Sequence, residues 1–237
     1  MIWAPYCGGA PAPGELLGRW NLDPVLIAVL AIGFVLAWRV SDNRPLVVAA
    51  FAVLAISFVS PLCALSSALF SARTVHHILL VAVAAPLLAW SLPRTRVGPL
   101  ALATLVQAAV FWAWHAPGAY ALALSSDAAY WAMQLSLLGS AVWFWIAARS
   151  ASAPAAAANL LVAMVAMGLL GALITFAAAP LYAPHLLTTG AWGLTALEDQ
   201  QAAGLIMWAP AAGLYLVAAV LIIGRMIGPD RTVARAA

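Results

Sequence analysis

The sequence contains no lysine and very little charge of either sign. Charged residues make up 7% of the 237, hydrophobic residues make up 66%, and the mean hydropathy is +1.04. Soluble domains of this size carry far more charge, so the composition predicts a polytopic membrane protein. The net charge of +3 comes from arginine in loops. It therefore indicates membrane orientation and argues against nucleic-acid binding.

Cysteine is also scarce. Cys7 and Cys63 are the two cysteines, so the chain can form at most one disulfide. They are equally compatible with free thiols and with soft metal ligands. Residues 1–23 are neither basic nor continuously apolar, which argues against a cleavable signal peptide. We expect them to form a short periplasmic segment.

Seven stretches are long and apolar enough to cross a bilayer, which takes roughly 20 apolar residues. Helices are expected there, because lipid offers backbone groups no hydrogen-bond partners. The sequence thus predicts an all-α bundle of seven transmembrane helices over residues 24–226, followed by a cytoplasmic tail at 227–237. Pro86 and Pro210 fall inside spans and are predicted to kink them. The spans cover approximately 24–40, 45–64, 68–91, 97–115, 128–148, 157–179 and 200–224.

The arginines predict the orientation. When loops are assigned alternately to the two sides, Arg19 and Arg73 fall on one side and eight arginines on the other. The arginine-rich side is expected to be cytoplasmic, which places the N-terminus outside and the C-terminus inside. The eight are Arg39, Arg44, Arg94, Arg96, Arg149, Arg225, Arg231 and Arg235.

Possible metal ligands share one depth. At the helical rise of 1.5 Å per residue, four of them lie about 26–28 Å from the cytoplasmic arginine that flanks their span. These are Cys63, His77, His115 and Met207. Nitrogen and sulfur donors together suit copper, above all copper(I). His76 is a further candidate, and Asp199 a weaker one.

Each candidate ligand has a simpler interpretation. His76 and His77 point about 100° apart on a helix, so only one of them can face a given partner. His115 could bond free carbonyls at the end of its helix. Met207 and Cys63 could be ordinary packing residues.

Arg73 lies one helical turn before His77, and an arginine in a membrane segment needs a partner. Glu198 and Asp199 are predicted on the same side of the membrane, so we expect one of them to pair with Arg73. Thr195 and Glu198 also have the spacing of a helix-capping box. The alternative is that all three charged groups are solvated.

Four stretches occur in an order and spacing that resemble a known family. They are FVSPLCALSSALFSARTVHHILLVAVAAPLL, FWAWHAPGAY, LLGALITFAAAPLYAPH and LEDQQAAGLIMWAP. The chain is similar, over about residues 24–226, to the multi-span CtaG family of cytochrome c oxidase assembly factors. The resemblance implies a multi-pass protein of the bacterial inner membrane that acts as a chaperone for a haem-copper oxidase.

The resemblance also implies roles for single residues. His77, His115, Asp199, Gln200 and Met207 stand at positions of the family motifs. Three positions depart from the pattern. Arg73 and Gln134 stand where many members carry histidine, and His76 stands where glutamine is usual.

Three functions are consistent with these features. The first is a non-catalytic assembly factor that takes copper(I) from a periplasmic copper donor and passes it to the catalytic subunit of the oxidase. The second is a structural membrane subunit that stabilises the oxidase without binding metal. The third is a copper or small-solute transporter, which the nearly apolar inner half of the spans argues against.

Overall fold

The computed structural model describes residues 3–95 and 97–227, with the side chains of 225–227 left aside. The described part is helical and contains no strand. The predicted tail at 227–237 lies outside the described residues apart from the backbone of Ile227, and Arg96 lies outside them as well. The α-helices are α1 Pro24–Val40, α2 Arg44–Phe58, α3 Pro61–Ala68, α4 Phe70–Ile78, α5 Ala85–Ser91, α6 Leu100–His115, α7 Pro117–Ala123, α8 Asp127–Ser150, α9 Ala153–Thr175, α10 Ala196–Ile206 and α11 Ala212–Ile227.

The prediction of an all-helical membrane protein is confirmed, with four to six candidate spans. Four continuous helices in the described residues are long and apolar enough to cross a membrane. Two more spans arise if the bent pairs α2–α3 and α6–α7 each count as one. α1 is apolar but has only 17 residues. The four continuous helices are Phe70–Ser91, Asp127–Ser150, Ala153–Thr175 and Ala196–Gly224.

The two prolines inside spans are accommodated by π turns. One π turn, Leu79–Ala84, ends two residues before Pro86, and the other, Met207–Ala211, contains Pro210. In the first turn the N–H of Ala85 bonds to the carbonyl of Leu80 five residues back. The same register would pair Pro86 with the carbonyl of Val81, but proline has no N–H to donate. The indole of Trp145 on α8 donates to that carbonyl instead, at 2.9 Å, so the span continues through the proline.

Close backbone contact joins α9 to α10. A Cβ built on Gly204 would lie 2.5 Å from the carbonyl oxygen of Gly171 and would also collide with Thr175. A Cβ on Gly171 would lie 2.7 Å from the carbonyl oxygen of Gly204. Glycine is therefore required on both sides of this helix pair, as in other close helix crossings in membranes.

A disulfide between Cys7 and Cys63 ties the N-terminal segment to α3. The segment is also held by the indole of Trp192, which donates to the carbonyl of Pro11 at 3.1 Å. Tyr6 stacks on Tyr130 of α8 with the ring centroids 5.0 Å apart, and its hydroxyl donates to Asp23. The N-terminal segment thus covers one end of the helix bundle.

Candidate functional site

A break in the chain directly before the helix Phe70–Ser91 shapes the site. α3 ends at Ala68, and Leu69 is extended (φ −124°, ψ 132°) before α4 begins at Phe70. Leu69 has no side-chain oxygen that can cap α4, so the first N–H groups of α4 need an acceptor from elsewhere. α4 then carries Arg73, His76 and His77, all fully buried.

Asp199 of α10 supplies that acceptor. Its carboxylate accepts from the N–H of Phe70 at 2.6 Å, from the N–H of Ser71 at 3.2 Å and from the Ser71 hydroxyl. A carboxylate at a helix N-terminus satisfies free N–H groups and interacts favourably with the helix dipole. Asp199 therefore caps α4 from another helix and fixes the position of the histidine-bearing turn.

The predicted pair between Arg73 and an acid is not formed. All three guanidinium nitrogens of Arg73 are buried without a hydrogen-bond partner among the described residues. Asp199 is engaged at the start of α4, and the exposed Glu198 accepts from Thr195 in the capping box at its own helix start. Arg73 instead stacks on Tyr130, with its guanidinium carbon 5.4 Å from the ring centroid. Both acids therefore accept from N–H groups at helix starts. The capping box of Glu198 was predicted from its spacing and is confirmed, whereas the contact of Asp199 with the start of α4 was not predicted.

His77 and His115 come together from α4 and α6. Their ring centroids are 5.3 Å apart, with the planes at 85°. Nδ1 of His115 bonds to the carbonyl oxygen of Phe111 at 2.7 Å, which leaves Nε2 as its free nitrogen. Both nitrogens of His77 are likewise buried and without partners among the described residues. The carbonyl contact proposed for His115 is thus present, and it leaves a nitrogen available.

The other candidate ligands are placed differently. His76 points to α2, where its ring meets Phe58 edge-on at 4.9 Å. Met207 is buried in the second π turn, which contacts α4. Cys63 is disulfide-bonded, so it offers no thiolate in this state. Across residues 3–95 and 97–227, no three side chains from His, Cys, Asp and Glu are grouped in a way that could hold a metal ion.

The loop before α10 completes the wall of the site. Gln200 accepts from the N–H of Leu181 at 2.6 Å, and its amide donates to the carbonyl of Ile174. Tyr182 stacks on Phe70 at 3.7 Å, and its hydroxyl donates to the carbonyl of His115. The family-motif residue Gln200 is therefore structural: it positions the loop that closes over α4 and α6.

His185 in this loop is buried, and both of its ring nitrogens are hydrogen-bonded, although sequence patterns alone predicted no role for it. Burial lowers its pKa to about 4, so its ring is neutral near pH 7. Its Nε2 accepts from the hydroxyl of Tyr120, and its Nδ1 donates to the carbonyl of Ala68 at the end of α3. Sequence patterns did not identify the aromatic residues in the wall of the site, which are Tyr120, Tyr182 and Phe70. Their role depends on which helices pack together, and the sequence shows only their aromatic character.

A comparison with known families bears on this arrangement. The model of the cytochrome c oxidase caa3 assembly factor family (Caa3_CtaG) matches residues 97–228, more than half of the chain. The chain belongs to this family. The matched region of this CtaG-family protein contains His115, Gln134, Asp199 and Met207, whereas Arg73, His76 and His77 precede it. No curated protein and no solved structure matches the chain.

Membership confirms the family indicated by the sequence motifs. It connects the protein to the assembly of cytochrome c oxidase and suggests a non-catalytic role. The capping of α4 by Asp199 is a contact between the matched region and the preceding span. The two parts of the chain thus build one site.

Proposed function

We propose that this CtaG-family protein is a non-catalytic, multi-pass factor of the bacterial inner membrane that delivers copper(I) to a haem-copper cytochrome c oxidase. His77 and His115 hold the ion, which comes from a periplasmic copper donor and passes by ligand exchange to the catalytic subunit. The observation that carries this proposal is the meeting of two buried histidines with free nitrogens. Imidazole is a suitable ligand for copper, and the Phe111 carbonyl orients the His115 ring as second-shell groups do at metal sites.

The proposed topology is seven spans with the N-terminus in the periplasm and the C-terminus in the cytoplasm. α1 has 17 residues, which is the lower limit for a transmembrane helix. The arginine distribution supports this orientation. The Cys7–Cys63 disulfide supports it too, because this orientation puts both cysteines at the end of the bundle nearer the oxidising periplasm.

Copper binding by the purified protein tests the proposal. In its oxidised form the protein should remove one equivalent of copper(I) from a chromophoric chelator, and the double variant His77→Ala/His115→Ala should remove none. His185→Ala is the matched control, since His185 is an equally buried histidine whose nitrogens are both bonded. This control should keep its copper.

Other results would contradict the proposal. Unchanged copper binding in the double variant would show that the histidine pair is not the site. If the protein binds no copper but co-purifies with the oxidase, its role is structural stabilisation of the oxidase and not copper delivery.

A further inference from the structure

The disulfide lies next to the buried polar cluster and not on the outer surface. Cys7 is 9% exposed and Cys63 is fully buried. The hydroxyl of Tyr130 lies 3.5 Å from Sγ of Cys7 and 4.0 Å from Sγ of Cys63. Tyr130 is itself fully buried, so this phenol links the two sulfurs to the interior of the bundle.

Arg73 contacts the other part of the same tyrosine. Its guanidinium stacks on the Tyr130 ring, and none of its nitrogens has a hydrogen-bond partner among the described residues. A buried cation without a hydrogen-bonded anion is costly in a membrane protein. Asp199 of α10 is engaged by the N–H groups of Phe70 and Ser71. The cluster therefore has a positive charge without a hydrogen-bonded anion on one part of Tyr130 and, at the hydroxyl of the same residue, two sulfurs that can become anionic.

We infer that Cys7 and Cys63 form a redox-controlled copper(I) site, open when reduced and closed as the disulfide. Copper as the cargo rests on the proposed function; the site itself is separate from the histidine pair. Thiolates are soft ligands that select copper(I), and the Cα atoms are already only 5.3 Å apart. The Tyr130 hydroxyl donates to the nearer sulfur, Sγ of Cys7, and the positive charge of Arg73 on the same ring offsets the negative charge of the thiolates.

The chemistry balances with a dithiol as the reductant. One thiolate of an external dithiol attacks a sulfur of the disulfide and releases the other cysteine as a thiolate. Its second thiolate then attacks the mixed disulfide and releases the remaining cysteine. The dithiol becomes a disulfide, while Cys7 and Cys63 gain two electrons and two protons in total. Copper arrives as copper(I), so its binding is not a redox step: two S–Cu bonds form and the two thiol protons leave to water.

Titration of the whole protein in lipid nanodiscs tests the inference. The protein is reduced with a dithiol, freed of reductant under nitrogen and titrated with copper(I) against a chromophoric chelator. The reduced protein should bind one more equivalent than the oxidised protein, and X-ray absorption should show sulfur ligands for it. Cys7→Ser, which changes only the N-terminal segment, should lose this equivalent, and so should Cys63→Ser.

Tyr130→Phe keeps the ring under Arg73 and removes the hydroxyl beside the sulfurs. It should weaken the sulfur-bound copper about ten-fold, the loss expected for one buried hydrogen bond to a charged group. Tyr6→Phe is the matched control, because Tyr6 stacks on Tyr130 but directs its hydroxyl to Asp23. It should leave the affinity unchanged.

The two sites fail independently. If His77→Ala/His115→Ala loses only the copper bound by oxidised protein, both proposals hold. If oxidised protein binds no copper but reduced protein binds one equivalent through sulfur, the histidine site is wrong and this inference stands. The inference is overturned if the dithiol does not reduce the folded protein, if reduction adds no copper, or if Cys7→Ser retains the added equivalent.

Discussion

Three basic side chains on α4 are buried in a protein that is otherwise mostly apolar. Arg73, His76 and His77 are fully buried, and their side-chain nitrogens have no partners among the described residues. Leaving such groups unsatisfied costs about 1–3 kcal/mol each, and more for a charge. An apolar sequence would avoid this cost, so the arrangement is more consistent with binding than with packing alone.

Asp199 gives the first prediction at this scale. Asp199→Ala should lower the unfolding free energy by about 1–3 kcal/mol, because the N–H groups of Phe70 and Ser71 would stay buried without an acceptor. It should also weaken copper(I) binding, since α4 would lose its fixed start. Asp199→Asn keeps an acceptor oxygen and should lose less. Thermal unfolding in detergent and chelator competition measure the two effects.

Glu198→Ala is the neighbouring control. Glu198 is exposed and caps only its own helix, so its loss should destabilise the protein less than the loss of Asp199 and leave copper binding unchanged. If Asp199→Ala affects copper binding no more than Glu198→Ala does, the capping of α4 has no role in the site.

At the level of helices, hydropathy predicted most of the elements but not their interruptions. The predicted span 128–148 corresponds to α8 at Asp127–Ser150. This prediction succeeded because a long apolar run between a capping residue and a charged residue is a local signal. The 77° bend after His115 has a local cause, because Pro117 disfavours helix at the preceding Ala116, and the span was predicted to end at residue 115. The break at Leu69 was not predicted. It depends on Asp199, which is distant in sequence, so no local pattern indicates it.

The same limit applies to the site. Depth along the spans correctly grouped His77 with His115, because helical rise is a local property. It also grouped Cys63 with them, although the structure pairs that residue with Cys7. The predicted acidic partner of Arg73 was wrong, because charge alone does not indicate whether an acid accepts from an arginine or from free N–H groups at a helix start.

The α9–α10 contact gives a prediction for a helix pair. Gly204→Ala should lower the unfolding free energy by about 1–3 kcal/mol, because a methyl group there has no room and the helices must separate. Gly171→Ala should act similarly. Thermal unfolding in detergent measures both.

Gly168→Ala is the matched control on α9. The nearest atom to a Cβ at Gly168 is Cδ1 of Trp208 at 3.6 Å, an ordinary contact. Alanine favours helix over glycine by up to about 1 kcal/mol, so this variant should be neutral or slightly stabilising. Equal effects of Gly168→Ala and Gly204→Ala would contradict close packing as the cause.

For the whole molecule, the main asymmetry is that of charge. The arginine-rich loops predict one side as cytoplasmic. The same prediction puts the disulfide, the His185 loop, the site residues of α4 and the end of α6 toward the opposite side. Orientation therefore decides whether the proposed copper site opens to the periplasm, where the proposed donor is found.

Impermeant thiol labelling of intact cells tests this topology. The native cysteines are paired in the disulfide, so a new cysteine can be labelled alone. Glu15→Cys, in the exposed part of the N-terminal segment, should react with an external maleimide, whereas Asp42→Cys, between α1 and α2, should react only after the cells are opened. A reporter fused after Arg235 should be cytoplasmic. If Glu15→Cys is protected while the fusion remains cytoplasmic, α1 does not cross the membrane, and the protein has six spans with both termini inside.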